Sequence, residues 1–251
     1  MPLFPRRPAP GLGQITHLGV VISYRILRSR QRRRTIGIVV HPVDGVRVLA
    51  PLRISEREIR DLVLKRASWI LRASAVAART LPPPKQFTDG ESFPYRGVLV
   101  PLAVIPCPEP RTHASLLEGS LHLSLPQNTP MEIRAPLVAR TLDRWFRERA
   151  ADELAESIER WGQAMSVKPK HILIRNQRTL WGSCAADGTI RFNWRVIQVA
   201  PDLLDYVVVH ELAHLKHRNH SPRFWEEVHA VIPDYLERRK RLRLDGRSLG
   251  L

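Results

Sequence analysis

Cysteine is nearly missing from this chain: among 251 residues only Cys107 and Cys184 carry a thiol. Neither sits in a CxxC pair, which excludes a disulfide framework and a thiolate zinc site and points to a reducing compartment, the cytoplasm. Long apolar runs are missing too. The most apolar stretch, Val98 to Ile105, contains Pro101 and falls far below the roughly 20 residues that span a bilayer, so no membrane segment is expected. Met1 to Gly13 holds Arg6, Arg7 and four prolines but no apolar core, which argues against a secretory signal and for a loose tail over residues 1–16. Acidic residues are scarce in the first third: residues 1–80 hold 16 Lys and Arg against 4 Asp and Glu, a balance of +12 out of +16 for the whole chain.

What is present is a foldable composition, 43% hydrophobic and 25% charged, as in ordinary globular proteins. The basic excess is mostly arginine, and Arg28, Arg30, Arg32, Arg33 and Arg34 form a stripe able to meet nucleic-acid phosphates. The competing reading is a solvated basic surface, because net charge speaks to non-specific affinity and not to a site.

Alternation of β-branched residues predicts strands over His17–Leu27, Thr35–Val40 and Arg47–Ala50. Ser55 stands three residues before Glu58 in capping-box spacing, and Ile59, Leu62, Val63, Ala67 and Ile70 recur at helical intervals to about Ala78. The Pro82-Pro83-Pro84 run ends that helix, and Phe93–Ile105 and Leu121–Leu125 read as further strands. A long helix follows Pro130 to about Met165. Short strands near Ile172–Ile174, Leu180–Ser183 and Thr189–Asn193 come next, the last two joined by an Asp187-Gly188 turn. A helix then opens at Pro201, with Asp202 as its expected N-cap. The expected fold is α+β: a β-rich N-terminal module over residues 17–129, then a zincin-like module over residues 130–251 with two long helices and a short sheet.

The chemistry concentrates on the second long helix, where His210-Glu211-Leu212-Ala213-His214 is an H-E-x-x-H sequence. Residues four apart lie about 40° apart around a helix and one turn along, so both imidazoles can reach one ion. Glu211 between them can take a proton from a water whose pKa zinc lowers to about 7. Three consecutive valines, Val207 to Val209, place the start of the motif in a core, where an unpaired ionisable cluster would be costly. A catalytic zinc site needs a third protein ligand. His217 is about 10.5 Å along the helix from His210, too far to share its ion, and Glu226, Glu227 or Glu237 would require a returning helix. His220 fits better, provided that the chain turns back near Asn219, a residue able to end a helix in the left-handed conformation. The spacing matches that of metzincins, but His217 stands where those have glycine, and Met1, Met131 and Met165 all precede the motif, leaving no Met-turn.

The runs Arg178-Thr179-Leu180-Trp181-Gly182-Ser183-Cys184, Asn193-Trp194-Arg195, Asp205 to Leu215 and Asn219-His220-Ser221-Pro222-Arg223-Phe224-Trp225 resemble the YgjP-like metallopeptidase domain. This bacterial group is related in its zinc helix to SprT-like and gluzincin-type proteases. The resemblance reaches loosely to Arg32-Arg33-Arg34 and Lys65 to Ile70. It implies a zinc-dependent hydrolase of peptide bonds, with His210, His214 and His220 as ligands and a protein or peptide as substrate. Trp181, Gly182 and Ser183 are candidates for holding an extended peptide along a sheet edge, or else core residues beside the helix. Cys184 as a nucleophile is the less favoured reading of a cysteine that burial would render inert. Three alternatives stay open: a nucleic-acid-binding protein with a structural zinc, a protease acting on DNA-associated proteins, and an amidase of non-protein amides.

Overall fold

A computed structural model of the protein describes residues 11–30, 32, 34–41, 45–80, 85–177 and 180–249. They form two units that divide between Pro82 and Pro83. In the first unit β1 (Leu12–His17), β2 (Val20–Ser29), β3 (Gly37–His41) and β4 (Gly45–Pro51) make a four-stranded sheet in the order β1-β2-β4-β3. The β1–β2 hairpin turns through Leu18 and Gly19, both at positive φ, the backbone hand that matches strand twist. β1 replaces part of the tail expected over residues 1–16. Its single buried side chain, Ile15, is too little alternation to read from sequence.

The expected helix from Ser55 is present as two, α1 (Glu56–Lys65) and α2 (Ala67–Thr80), separated at Arg66. The capping box forms in full: Ser55 Oγ accepts from the Glu58 N–H, and the Glu58 carboxylate accepts from the Ser55 N–H. Ile59, Val63, Ala67 and Ile70 are all fully buried, so the apolar stripe survives the break and seals the unit's core against Ile22, Val48 and Ala50. Arg28 does not belong to a free basic stripe. Its Nη1 donates to the carbonyls of Pro51, Leu52 and Ile54 at 3.3, 3.1 and 2.7 Å. Arg33 lies outside the described residues, as do Arg178 and Thr179.

In the second unit β5 (Ser92–Tyr95), β6 (Val98–Cys107), β7 (His113–Leu117) and β8 (Ser120–Pro126) form a sheet in the order β5-β6-β8-β7. It packs on α3 (Met131–Ala164), so a boundary at residues 129/130 would cut through one continuous core: Leu102, Leu121 and Leu123 share it with Leu142, Trp145 and Leu154. A three-stranded sheet follows, β10 (Gly182–Cys184), β11 (Thr189–Asn193) and β9 (His171–Arg175) in that order, with Gly188 at φ 83° in the expected turn. A 3-10 helix (Trp194–Gln198) leads to α4 (Pro201–Lys216), and α5 (Pro222–Val231) and α6 (Tyr235–Ser248) complete the unit. Residues 130–251 thus carry the two long helices, α3 and α4, and the short β9–β11 sheet expected from sequence, with α5 and α6 in addition, and these two supply parts of the site. Among the described residues no helix is long and apolar enough to cross a membrane.

Candidate metal centre

α4 is held in place before it carries any chemistry. Leu203, Leu204, Val207, Val208, Val209, Leu212 and Ala213 are buried. Asp205 accepts from Ser157 Oγ at 2.7 Å and Arg160 Nη2 at 2.6 Å, both on α3. The helix is capped at Ala200 with Pro201 in its first turn, and Asp202 is not the N-cap. Proline takes the first helical position, where its missing N–H costs nothing, and Asp202 instead pairs with Arg241 at 2.6 Å. This rigid mounting fixes the direction in which His210, Glu211 and His214 project.

The chain leaves α4 through His217 in an extended conformation, φ −126° and ψ 105°. Asn219 is not among the residues with positive φ, so the turn back uses an extended exit rather than a left-handed cap. It puts the His217 carbonyl 2.9 Å from His214 Nδ1. With the Nδ1 proton donated to that carbonyl, Nε2 keeps its lone pair, the usual arrangement behind a metal-ligating histidine. His217 is therefore placed beside the cluster through its backbone, while Glu227 is engaged by Lys216 at 2.6 Å.

Among the described residues, His210, His214 and His220 form the one His, Cys, Asp or Glu cluster able to hold a metal ion, with a ligand atom from each lying within 4.8 Å of the others. The Nε2 atoms of His210 and His220 are 3.1 Å apart. Tetrahedral zinc with Zn–N distances of 2.0–2.1 Å would set its ligand nitrogens about 3.4 Å apart, so the donor set fits such an ion closely. Phe224, fully buried on α5, underlies all three rings with centroid distances of 5.0, 4.6 and 4.7 Å. Exposed His220 stacks on Trp225 at 5.5 Å, and Trp225 stacks on Tyr235 at 5.2 Å. These aromatic residues position the one histidine of the cluster that α4 does not carry. The signal for this platform in the sequence is the Phe224-Trp225 pair just after His220.

Burial, then the neighbouring His214 and His220, push the His210 imidazole down to about 3, so it stays neutral and ready to ligate at neutral pH. Burial alone pushes the Glu211 carboxyl up to about 8; a cation on the adjacent histidines acts in the opposite sense. Glu211 is 5% exposed, and its Oε2 finds no partner among the described residues. That is an acceptor left for a water or substrate proton.

Gly182 explains how a sheet can lie this close. A Cβ at that position would stand 2.7 Å from Glu211 Oε1 and Cγ, so only glycine lets the face of β10 rest on the carboxylate. β10 is the edge strand of its sheet. Trp181 pairs with Asn193, and Ala185 with Thr189, through hydrogen bonds that frame the β10–β11 ladder. The alternation of an antiparallel ladder then turns the Gly182 and Cys184 backbone groups toward the open edge and those of Ser183 toward β11. Of the three candidates Trp181, Gly182 and Ser183, Gly182 is the one that closely approaches Glu211 and, among the described residues, offers a free edge, while Trp181 lines the cleft beside it. Cys184 has its thiol pushed up, first by burial and then by Glu211, the opposite of an activated nucleophile.

Among curated proteins none is similar enough to count as a match. Among solved structures, the metallopeptidase zymogen abylysin of Pyrococcus abyssi is similar at 25% identity over 38% of this chain and 96% of that one, with a TM-score of 0.36. The profile of the YgjP-like metallopeptidase domain matches residues 34–245, most of the chain, and the protein belongs to that family.

Proposed function

We propose that this metallopeptidase is zinc-dependent and hydrolyses peptide bonds at the His210, His214, His220 centre with Glu211 as general base. The observation that carries the reading is the convergence of three imidazoles beside a buried carboxylate that has an unpartnered oxygen. A zinc ion bound there supplies Lewis acidity, acidifying a water molecule and polarising the scissile carbonyl. Glu211 takes the proton of that water and returns it to the leaving nitrogen, both transfers running through an oxygen that no group of the described residues competes for. The Nδ1 hydrogen bond of His214 fixes its tautomer, and stacking on Trp225 fixes the His220 ring. The open edge at Gly182 and Cys184 would align an extended substrate by main-chain hydrogen bonds. Two free cysteines suit a reducing compartment such as the cytoplasm.

Glu211→Gln keeps the size of the side chain and removes its basicity. The variant should retain about the wild-type zinc content and lose at least about 100-fold in peptide cleavage, the lower end for a general base. Zinc is measured by elemental analysis, and cleavage on an unstructured protein substrate. Wild-type turnover in this variant would assign water activation to another group.

A further inference from the structure

A cleft of about 420 Å³ opens beside Glu211, and one wall of it is α6. Arg239, Leu242, Arg243 and Gly246 line it, at the three- and four-residue spacing that places them on one helical face. Trp181 and Val207 stand among the apolar residues of the other walls. The remaining arginines of α6 that make polar contacts are engaged: Arg238 with Asp234 at 2.9 Å and Arg241 with Asp202 at 2.6 Å. Arg239 and Arg243 have no acidic partner among the described residues. Arg239 lies over the Trp225 ring at 5.0 Å, which orients the guanidinium without neutralising it.

An unpaired guanidinium beside a centre built for a cation is electrostatically unfavourable. Its charge would oppose a bound metal ion. An anion delivered by the substrate reverses that balance, and a planar fork of donors in a part-apolar cleft is suited to a carboxylate. We propose that this cleft is a substrate subsite in which Arg239 and Arg243 hold a carboxylate of the peptide. The proposal rests on the peptidase reading. The carboxylate has two sources, the free C-terminus of the chain being cut or an Asp or Glu side chain near the scissile bond.

Three acetylated hexa-alanine probes separate the sources: a C-terminal amide, the same peptide as a free acid, and the amide with one central Ala replaced by Glu. Each is titrated calorimetrically into full-length, zinc-loaded Glu211→Gln protein, so that binding is read without turnover. One charged probe should bind about tenfold more tightly than the neutral amide, the worth of a charge-assisted hydrogen bond. Preference for the free acid assigns a chain terminus, and preference for the Glu probe a side chain. Adding Arg239→Ala and Arg243→Ala should erase the preference while leaving zinc content and neutral-probe binding in place. Arg239→Glu should instead turn the preference toward a Lys-containing probe, a gain that misfolding cannot imitate. Equal binding of the three probes, undetectable binding included, or a preference that persists in the double variant, overturns the subsite. Wild-type cleavage of the neutral amide is scored separately: cleavage without a charge preference refutes the subsite alone, and a charge preference with no cleavage of any probe refutes the peptidase reading alone.

Discussion

In each unit two antiparallel hairpins join through a central parallel pair, giving β1-β2-β4-β3 in one and β5-β6-β8-β7 in the other. The first sheet closes over α1 and α2, and its core, from Ile15 to Ile70, is self-contained. The second lies on α3, a helix buried along far more of its length, from Val138 to Gly162. α3 meets β7 and β8 and also α4, so residues such as Leu142 and Trp145 belong to a core that continues through Val208 and Leu212 to the metal helix. The same strand order therefore supports different uses. A helix packed on two sides can hold a third element rigidly enough for ligand geometry, whereas α1, with only Ile59 and Val63 buried, has no second face to offer.

The largest effect that separates the two regions should come from Gly182→Ala. The new methyl group would meet Glu211 at 2.7 Å and displace the carboxylate, and a shift of about 1 Å at a catalytic group costs about 100-fold in rate. Zinc content should stay normal, because His210, His214 and His220 are not touched. Activity near wild type would mean that Glu211 has room to move and still work.

Smaller in energy but sharper in its contrast is a pair of core truncations. Ile59→Ala and Leu142→Ala each remove a side chain that is 0–1% exposed and should cost about 2–5 kcal/mol. The three proposed zinc ligands all lie in the second unit, so added zinc should raise the unfolding transition weakened by Leu142→Ala and not the one weakened by Ile59→Ala. Thermal unfolding followed with and without zinc reads both. One transition that responds identically in the two variants would show that the cores unfold as one.

What could be read from sequence was local. The capping box at Ser55 and Glu58, the Asp187-Gly188 turn and the H-E-x-x-H spacing each depend on residues within a few positions of one another, and all are present as expected. His220 depended on one turn of chain; the structure brings it beside His210 and His214, by a route that is extended at His217 where a left-handed turn near Asn219 was expected. The packing of β5–β8 on α3 was not legible, since their apolar faces look the same whichever helix they cover. Nor was the role of α6: Tyr235 to Ser248 has few apolar residues, and its contribution lies in which arginines find carboxylate partners. Arg28 makes the same point in the first unit, where a charge counted toward a phosphate-binding stripe is spent on backbone carbonyls.

The central claim, three histidines and an open position, is tested most directly by X-ray absorption at the zinc edge of the purified, zinc-loaded protein. The account predicts three imidazole nitrogens at about 2.0–2.1 Å with one further light atom. Two imidazoles should remain in His220→Ala and three in His217→Ala, since His217 contributes its carbonyl to His214 and not a ring to the metal. A closed shell of four protein ligands, or a His220→Ala spectrum identical to wild type, would contradict it and favour a structural site.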